Sequence, residues 1–314
     1  MTTEWKPKRW IALLLAIFVQ PFGFLYINRA SLFWLYLLLL FTGAMADIAL
    51  QRHVSANAWY QYFSFSLLVM IVGPVHTYFA ATANHQPLRR WYSHWWGLLL
   101  SCFSLLAILG GLRILFIEPF QIPSASMSPT LTPGQHVIVN KIGFNNLRFA
   151  DRTFHQAAPR NPPKRGDLVV FQYPLAPEIA YVDRVVGLPG DRIIYRDKKI
   201  FLQPACNKPL QPCTALNALE PRNSEASQVI NGQHGAVVVA NEQLGDTQYQ
   251  IWLTPNRQEP SAHYYRQPNQ DIGEWTVPAG HYFVMGDNRD NSVDSRFWGF
   301  VPAENLIGNV AFAW

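Results

Sequence analysis

Residues 95–131 read WWGLLLSCFSLLAILGGLRILFIEPFQIPSASMSPTL, and they divide the chain into two regions of different character. The run from Trp95 to Ile117 is apolar and has the length that a helix needs to cross a bilayer core, about 20 residues. A polar segment rich in proline and serine follows it directly. We therefore predict membrane-anchoring helices over residues 1–117 and a globular domain over residues 118–314.

Composition and charge agree with this division. The 314-residue chain is 49% hydrophobic and 14% charged, whereas soluble domains carry about 25% charged residues. A disordered or acidic solvating protein is therefore excluded. Up to Phe116 there are 8 basic and 2 acidic residues, a net charge of +6, and from Ile117 onward 17 basic and 18 acidic residues, a net charge of −1. Because the cations flank apolar runs, nucleic acid is not an expected partner.

Four apolar runs precede the globular region, and each is close to the length of a membrane span. Tryptophan and tyrosine are frequent at the ends of these runs, as expected for amphipathic rings that lie among the lipid headgroups. The runs are Trp10 to Ile27, Leu32 to Leu50, Tyr62 to Ala81, and Trp95 to Ile117.

The distribution of short-loop cations predicts the orientation of the chain. The first run is broken by the sequence Gln20-Pro21-Phe22-Gly23, so we favour three full crossings and one partial segment; four full crossings are the alternative. In both cases Arg89 and Arg90 on the inside send the last helix outward. We expect a multi-pass protein of the cytoplasmic (inner) membrane, in contact with lipid, with a periplasmic or exterior C-terminal domain. Since no small-residue cleavage site follows the first run, we expect it to remain as an anchor.

Three cysteines bear on the compartment. Cys102 lies within an apolar helix, where a cysteine is a small buried hydrophobe. Cys206 and Cys213 are close together in a polar stretch and are too isolated for a four-ligand zinc site. In an oxidising compartment a disulfide between them is the expected interpretation, and free thiols are the alternative. We find no metal-binding constellation and expect no cofactor.

The globular region has the pattern of strands, with β-branched and aromatic runs separated by glycine and proline turns. No helical period of 10 residues intervenes. We therefore predict a mainly antiparallel β domain with a less patterned polar insertion around Ala205 to Gln270. The predicted strands are His136–Val139, Asp167–Phe171, Tyr181–Val186, Arg192–Tyr195, Ala236–Ala240, Gln250–Leu253, Tyr282–Met285 and Val310–Trp314.

The segment after the last apolar run holds three serines between prolines: Ser124, Ser126 and Ser128. This pattern predicts a rigid, exposed turn a few residues from the bilayer, where an enzyme acting on membrane-embedded substrates would hold a nucleophile. By composition alone, such a stretch is more typical of a linker.

Four segments together change that interpretation. In order and spacing they resemble the bacterial type I signal peptidases (leader peptidases), and the resemblance covers about Ile117 to Trp314. The segments are Ile122–Leu131, Lys164–Phe171, Arg184–Asp191 and Gly286–Arg296. The resemblance implies a signal-peptidase-type β domain, docked on the outer face of the membrane. It also implies a serine endopeptidase that removes the signal peptides of exported preproteins after small residues at −1 and −3.

The resemblance also implies roles for individual residues. Ser126 would be the nucleophile, and the Ser124 hydroxyl with the Ser126 backbone N–H would form an oxyanion hole, in which each preorganised donor lowers the barrier by about 3 kcal/mol. The residues that orient the base and support the Gly286 turn would be Ser292, Asp287, Asp294 and Arg296.

The sequence departs from the family at the general base. The family has a lysine immediately before the equivalent of Arg184, and this chain has Asp183. An aspartate with an ordinary pKa near 3.9 is a weaker base at pH 7 by about 4 kcal/mol than an ideal one, unless burial raises its pKa. Since neighbours along a strand face opposite sides, we expect Arg184 to point away from Asp183. His136 and His281 are possible recruited bases.

Three functions remain open from the sequence. The first is a signal-peptidase-like endopeptidase that uses Ser126 with Asp183 or a recruited base. The second is a catalytically silent relative that binds signal peptides or a membrane partner without cutting. The third is a membrane scaffold whose helices carry the function. Intact nucleophile, oxyanion and turn segments favour at least substrate binding.

Overall fold

The computed structural model describes residues 5–53, 63–82, 88–149, 152–206, 215–219, 222–223, 230–232 and 235–314. The chain divides into two compact units, Met1–Gly110 and Gly111–Trp314. The first unit is helical, and the second is built mainly from antiparallel strands. This is the fold class that the sequence predicts.

The helices follow the apolar runs. They are α1 (Arg9–Phe18), α2 (Phe22–Tyr26), α3 (Ala30–His53), α4 (Phe65–Thr82) and α5 (Trp95–Leu115). Within the described residues, α3, α4 and α5 are long and apolar enough to cross a membrane. Helix α1 has 10 residues, about half of what a bilayer core requires. The break expected in the first apolar run separates α1 from α2.

The helical unit buries polar groups in pairs. Gln20 donates its side-chain amide to the carbonyl oxygen of Val69 at 3.1 Å, and the Tyr36 hydroxyl lies 2.9 Å from Nδ1 of His76. Phe24 stacks on Tyr36 at a centroid distance of 4.6 Å. Between apolar helices such bonds satisfy groups that lipid cannot solvate.

The second unit contains 17 short strands in the described residues. They are β1 (Ile117–Gln121), β2 (His136–Asn140), β3 (Asn145–Phe149), β4 (Arg152–Ala157), β5 (Leu168–Tyr173), β6 (Ala176–Gly187), β7 (Arg192–Arg196), β8 (Lys199–Gln203), β9 (Asn217–Leu219), β10 (Arg222–Asn223), β11 (Ile230–Gly232), β12 (Gly235–Leu244), β13 (Thr247–Leu253), β14 (Glu274–Thr276), β15 (His281–Met285), β16 (Val301–Pro302) and β17 (Leu306–Ala313). A four-residue helix, α6 (Ser295–Trp298), interrupts them.

The largest sheet has seven strands in the order β1-β2-β17-β5-β6-β15-β16. Strand β6 pairs with β5 on one side and with β15 on the other, and it places Asp183 opposite Val169. All eight predicted strand segments fall on observed strands. The other nine described strands were not predicted. In β3 the buried side chains are polar, Asn146 and Arg148, so its sequence shows no apolar face.

The region predicted as a polar insertion contributes to the hydrophobic core. Strands β12 and β13 form a hairpin whose Leu244, Tyr249 and Ile251 are buried with Trp275 and Phe283. Cys206 is disulfide-bonded and Cys102 is a free thiol. Cys213, the predicted partner of Cys206, lies outside the described residues.

A buried ion pair joins the β12–β13 hairpin to the segment after β15. Arg289 is 1% exposed, donates from Nη1 to Oε1 of Glu242 at 3.0 Å and also bonds Oε2 of the same carboxylate. The Tyr249 hydroxyl donates to the same carboxylate. Two charges in a low-dielectric interior are tolerated only while each has its partner.

Replacement of Arg289 by methionine is expected to lower the free energy of unfolding by about 3–5 kcal/mol, because Glu242 is left buried without a counter-ion. The measurement is chemical denaturation of the full chain in detergent. The control is Arg192→Met, which breaks an ion pair to Glu274 from a side chain that is 47% exposed and costs below about 1 kcal/mol. Equal losses in the two variants would contradict the prediction.

Candidate active site

The serine turn lies on a buried apolar base. It follows β1, and its Ile122, Met127 and Leu131 side chains are buried against Val137 and Val139 of β2. Ser124 and Ser126 are left at the surface of the turn, since Ser124 is exposed and Ser126 partly so. Ser128, the third serine of the predicted exposed turn, is instead buried at 2% exposure, so of the three serines only Ser124 and Ser126 reach the surface.

Asn288 ties the serine turn to the segment that follows β15. Its backbone N–H donates to the Ser126 carbonyl oxygen at 2.9 Å, and its side-chain amide donates to the Ala125 carbonyl oxygen at 3.0 Å. Two bonds from one residue hold both the position and the orientation of the turn.

Gly286 allows Ser292 to approach the same turn. A Cβ atom at Gly286 would lie 2.7 Å from the Ser126 carbonyl oxygen and closer still to the Ser292 hydroxyl. Real Cβ atoms do not approach backbone so closely, so this position requires glycine. The structure thus brings Ser292 close to Ser126.

Arg184 and Asp287 form a buried ion pair beneath the turn. The Arg184 guanidinium donates to the two carboxylate oxygens of Asp287 at 2.8 and 2.6 Å and to the Gly166 carbonyl oxygen at 2.7 Å. The Thr130 hydroxyl, at the end of the serine turn, donates to the same carboxylate. As expected, Arg184 lies away from Asp183: it borders a hollow beside Thr130 and Tyr249, not the cleft that Asp183 lines.

Asp294 forms a second buried ion pair. It caps the N-terminus of α6, and the Arg296 guanidinium donates to both of its oxygens at 2.8 Å. The Gly286 backbone N–H donates to Asp294 Oδ2 at 3.0 Å. Asp287, Asp294 and Arg296 therefore all lie around the Gly286 turn.

One cleft contains the principal residues predicted from the sequence. It has a volume of about 450 Å³ and is lined by Ser124, Ser126, Asp183 and Ser292. The rest of its lining is mostly apolar, from Ile122, Val137, Val170, Ile179, Ala180, Val182 and Val293. Gln121, Tyr181 and Asn291 also line it, and a few polar side chains in a mostly apolar hollow are typical of a ligand site.

Asp183 is the most unusual group in this cleft. It is 3% exposed, and its carboxyl neither accepts a hydrogen bond from a described residue nor forms an ion pair with one. Burial, followed by the nearby charges of Asp294 and Asp287, raises the pKa of Asp183 well above its ordinary value; Arg296 acts in the opposite direction. A larger fraction of the carboxyl is therefore protonated near neutral pH than for an ordinary aspartate.

The Ser126 hydroxyl is paired with Ser124 and not with Asp183. The two hydroxyl oxygens are 3.1 Å apart. Within the described part of the chain, the Ser126 backbone N–H donates to no acceptor. The Ser126 N–H is therefore available to a bound ligand, and the Ser124 hydroxyl lies within hydrogen-bond distance of the Ser126 oxygen.

The structure does not bring either histidine to the cleft. His136 stacks on Trp314 at 5.5 Å between ring centroids, and His281 lies 2.9 Å from the Ala279 carbonyl oxygen. No lysine or histidine is found among the residues described as lining the cleft. Recruitment of His136 or His281 as a base therefore has no geometric support.

Sequence reasoning missed two residues that hold the site together. Asn288 and Thr130 both lie inside the matched segments, but nothing in the sequence indicates that their side chains bridge one segment to another. That information exists only once the segments are packed.

Known proteins are similar to this chain over the region that contains the cleft. The family model described as "Signal peptidase, peptidase S26" matches residues 95–314, more than two thirds of the chain. Signal peptidase I of Pseudomonas aeruginosa is 39% identical over 243 residues, which is 74% of each chain. Signal peptidase I of Buchnera aphidicola subsp. Baizongia pistaciae is 38% identical over 234 residues, covering 68% of this chain and 74% of the relative.

A crystal structure of a signal peptidase I from Enterococcus faecalis V583 is 23% identical and covers 48% of this chain and 98% of its own, with a TM-score of 0.27. That score is too low for a detailed structural comparison. The family match and the relatives at 38–39% identity carry the assignment. The chain belongs to the signal peptidase family, peptidase S26.

Proposed function

We propose that this chain is a membrane-bound serine endopeptidase that removes signal peptides from exported preproteins after small residues at −1 and −3. The observation that carries the proposal is the cleft, a mostly apolar hollow in which Ser126 lies beside Ser124 and has a backbone N–H without an acceptor among the described residues. Such a hollow suits a short stretch of small side chains.

In the proposed reaction, Ser126 Oγ attacks the scissile carbonyl carbon and its proton passes to the Asp183 carboxylate. The Ser124 hydroxyl and the Ser126 N–H donate to the developing oxyanion. The protonated Asp183 then gives its proton to the leaving amine as the C–N bond breaks. A water molecule hydrolyses the acyl-enzyme by the same route. Ser292 lines the same cleft and would orient Asp183 once substrate is bound, while Asp287, Asp294 and Arg296 hold the Gly286 turn.

Asp183 as base is favoured by its raised pKa and opposed by its geometry. A carboxylate with a raised pKa accepts a proton more readily than an ordinary one. The Ser126 hydroxyl, however, is bonded to Ser124 in this structure. Transfer therefore requires rotation of the Ser126 side chain or one bridging water, since catalytic hydrogen bonds often form only when substrate is bound.

We further propose the membrane arrangement. Helices α3, α4 and α5 are long enough to cross, α1 makes the partial segment, and the β unit faces the periplasm in contact with lipid. Arg89 and Arg90, which precede α5, support an inside location for that end of the helix.

A second candidate is a silent relative that binds signal peptides without cutting them. The specific observation in its favour is that no hydrogen bond joins Ser126 to a base in the described part of the chain. Both candidates use the same cleft, so only catalysis separates them.

Replacement of Ser126 by alanine is expected to abolish cleavage of a model preprotein by the full chain in detergent, because the nucleophile is lost. Binding of the preprotein, measured by crosslinking, is expected to persist. A matched control is Ser101→Ala, which removes a hydroxyl that bonds within α5. Cleavage that survives in Ser126→Ala would refute the proposed nucleophile.

Cleavage by the wild type is expected to rise with pH, because Asp183 must be ionised to accept a proton and its pKa is raised. Asp183→Asn is expected to lose activity by at least about 100-fold, the usual contribution of a general base. The measurement is kcat/KM from about pH 5 to about pH 9. An inactive wild type with activity only in Asp183→Lys would establish the silent relative instead.

The raised pKa of Asp183 can also be tested through the pH dependence of the protein's thermal stability, independently of cleavage. Because the pKa of Asp183 is higher in the folded state, ionisation opposes folding above that pKa, and the penalty vanishes below the unfolded pKa of about 3.9. Asp183→Asn is therefore expected to raise Tm relative to wild type at alkaline pH, by an amount that shrinks as pH falls. The exposed Asp246→Asn serves as control. A Tm difference that does not change with pH would contradict the raised pKa.

A further inference from the structure

We propose that the cleft binds a primary ammonium group on an apolar stem, that of a lysine side chain in a bound polypeptide, with Asp183 as its counter-ion. A segment bound in this way is held without being cut. The inference rests on the proposed function in one respect only, that the cleft receives polypeptide.

The charge of Asp183 has no partner in the described protein, although arginines lie close by. Arg296 is committed to Asp294 and to the Arg289 carbonyl oxygen, and Arg184 is committed to Asp287. Asp183 is nine-tenths buried or more and borders the cleft. A buried carboxylate without a counter-ion is costly, so a cation that enters the cleft and pairs with it offsets that cost.

The serine hydroxyls of the cleft favour an ammonium group over a guanidinium group. An ammonium group has three donors, and hydroxyl oxygens of Ser124, Ser126 and Ser292 line the same cleft as the Asp183 carboxylate. A guanidinium group is planar and favours two-pronged pairing with one carboxylate, whereas separate oxygens suit a compact point charge.

The apolar lining fits the stem of a lysine. Val170, Ile179 and Val182 border the cleft beside the polar groups, and a lysine buries its methylene chain along such surfaces while its head finds a polar partner. The cleft beside Asp183 has a volume of about 450 Å³, so a side chain can enter it from outside.

Occupation by a lysine would stop catalysis. A carboxylate that is paired with an ammonium group has a lowered pKa and accepts the Ser126 proton poorly. Small neutral residues leave Asp183 available as a base. Asp183 would therefore decide the fate of a bound polypeptide: a segment that places a lysine beside it is retained, and a segment with small neutral residues there is cut.

The pairing depends on pH through the groups that face Asp183. Asp294 at the start of α6 and Asp287 after β15 disfavour its ionisation, while Arg296 in α6 favours it. Tyr181 of β6 lines the same cleft. Because the ammonium pairs with the ionised carboxyl, binding releases a proton, and affinity rises with pH as long as the lysine stays charged.

The test compares two peptides that match the cleavage region of a preprotein, keep small residues at −1 and −3, and differ only by lysine or norleucine at −2 or +1. Affinities are measured with the full chain in detergent. For at least one position, wild type is expected to bind the lysine peptide about tenfold or more tightly than its norleucine match at about pH 8, the gain typical of a bond to a charged group. The preference is expected to disappear in Asp183→Asn and to persist in Asp246→Asn.

Three results would overturn the inference: no lysine preference at any position, a preference that survives in Asp183→Asn, or cleavage of the preferred lysine peptide at the rate of its match. If Asp183→Asn fails to fold, the wild type decides, because the preference must weaken from about pH 8 to about pH 5. Cleavage of a lysine-free preprotein is measured in the same preparation. Its failure would refute the proposed function and leave the binding result intact.

Discussion

The site depends on the buried ion pair between Arg184 and Asp287. Arg184 lies on β6 of the seven-stranded sheet, and Asp287 lies in the turn after β15. The Asp287 carboxylate accepts hydrogen bonds from Arg184 and from Thr130, which lies at the end of the serine turn. Removal of either charge would leave the other buried without a partner, at a cost of about 3–5 kcal/mol. The interaction therefore locks the turn in place, and Asn288, one residue further on, can then bind the backbone of the serine turn.

The carboxylates that support the site are paired with arginines, whereas the carboxylate that lines the cleft is not. Asp287 and Asp294 are each neutralised by an arginine, and Glu242 is paired with Arg289. Asp183 has no such partner in the described part of the chain, and it is the carboxyl that borders the cleft. Asp183 lies where the resemblance to the family predicts an amine, and burial and like charges raise the pKa of this carboxyl.

Much of the architecture could be predicted from local pattern. Apolar runs of near-membrane length became α3, α4 and α5, and the break at Gln20-Pro21 ended α1, because both depend on short-range chemistry. All eight predicted strand segments fall on observed strands for the same reason. Strand β3 was not predicted because its buried side chains, Asn146 and Arg148, are polar. The burial of the β12–β13 hairpin was not predicted because a core contact is a property of two segments.

The sequence by itself determined the order of elements, the presence of Ser126 in a rigid turn, and the aspartate at position 183. Those properties are local, since residue identity and periodicity are written along the chain. Only the tertiary structure decided that Asn288 holds that turn, that His136 and His281 lie away from the cleft, and that Asp183 is buried without a partner among the described residues. Each of these depends on contacts between residues far apart in the chain. A residue becomes buried or paired only when the folded chain brings those residues together.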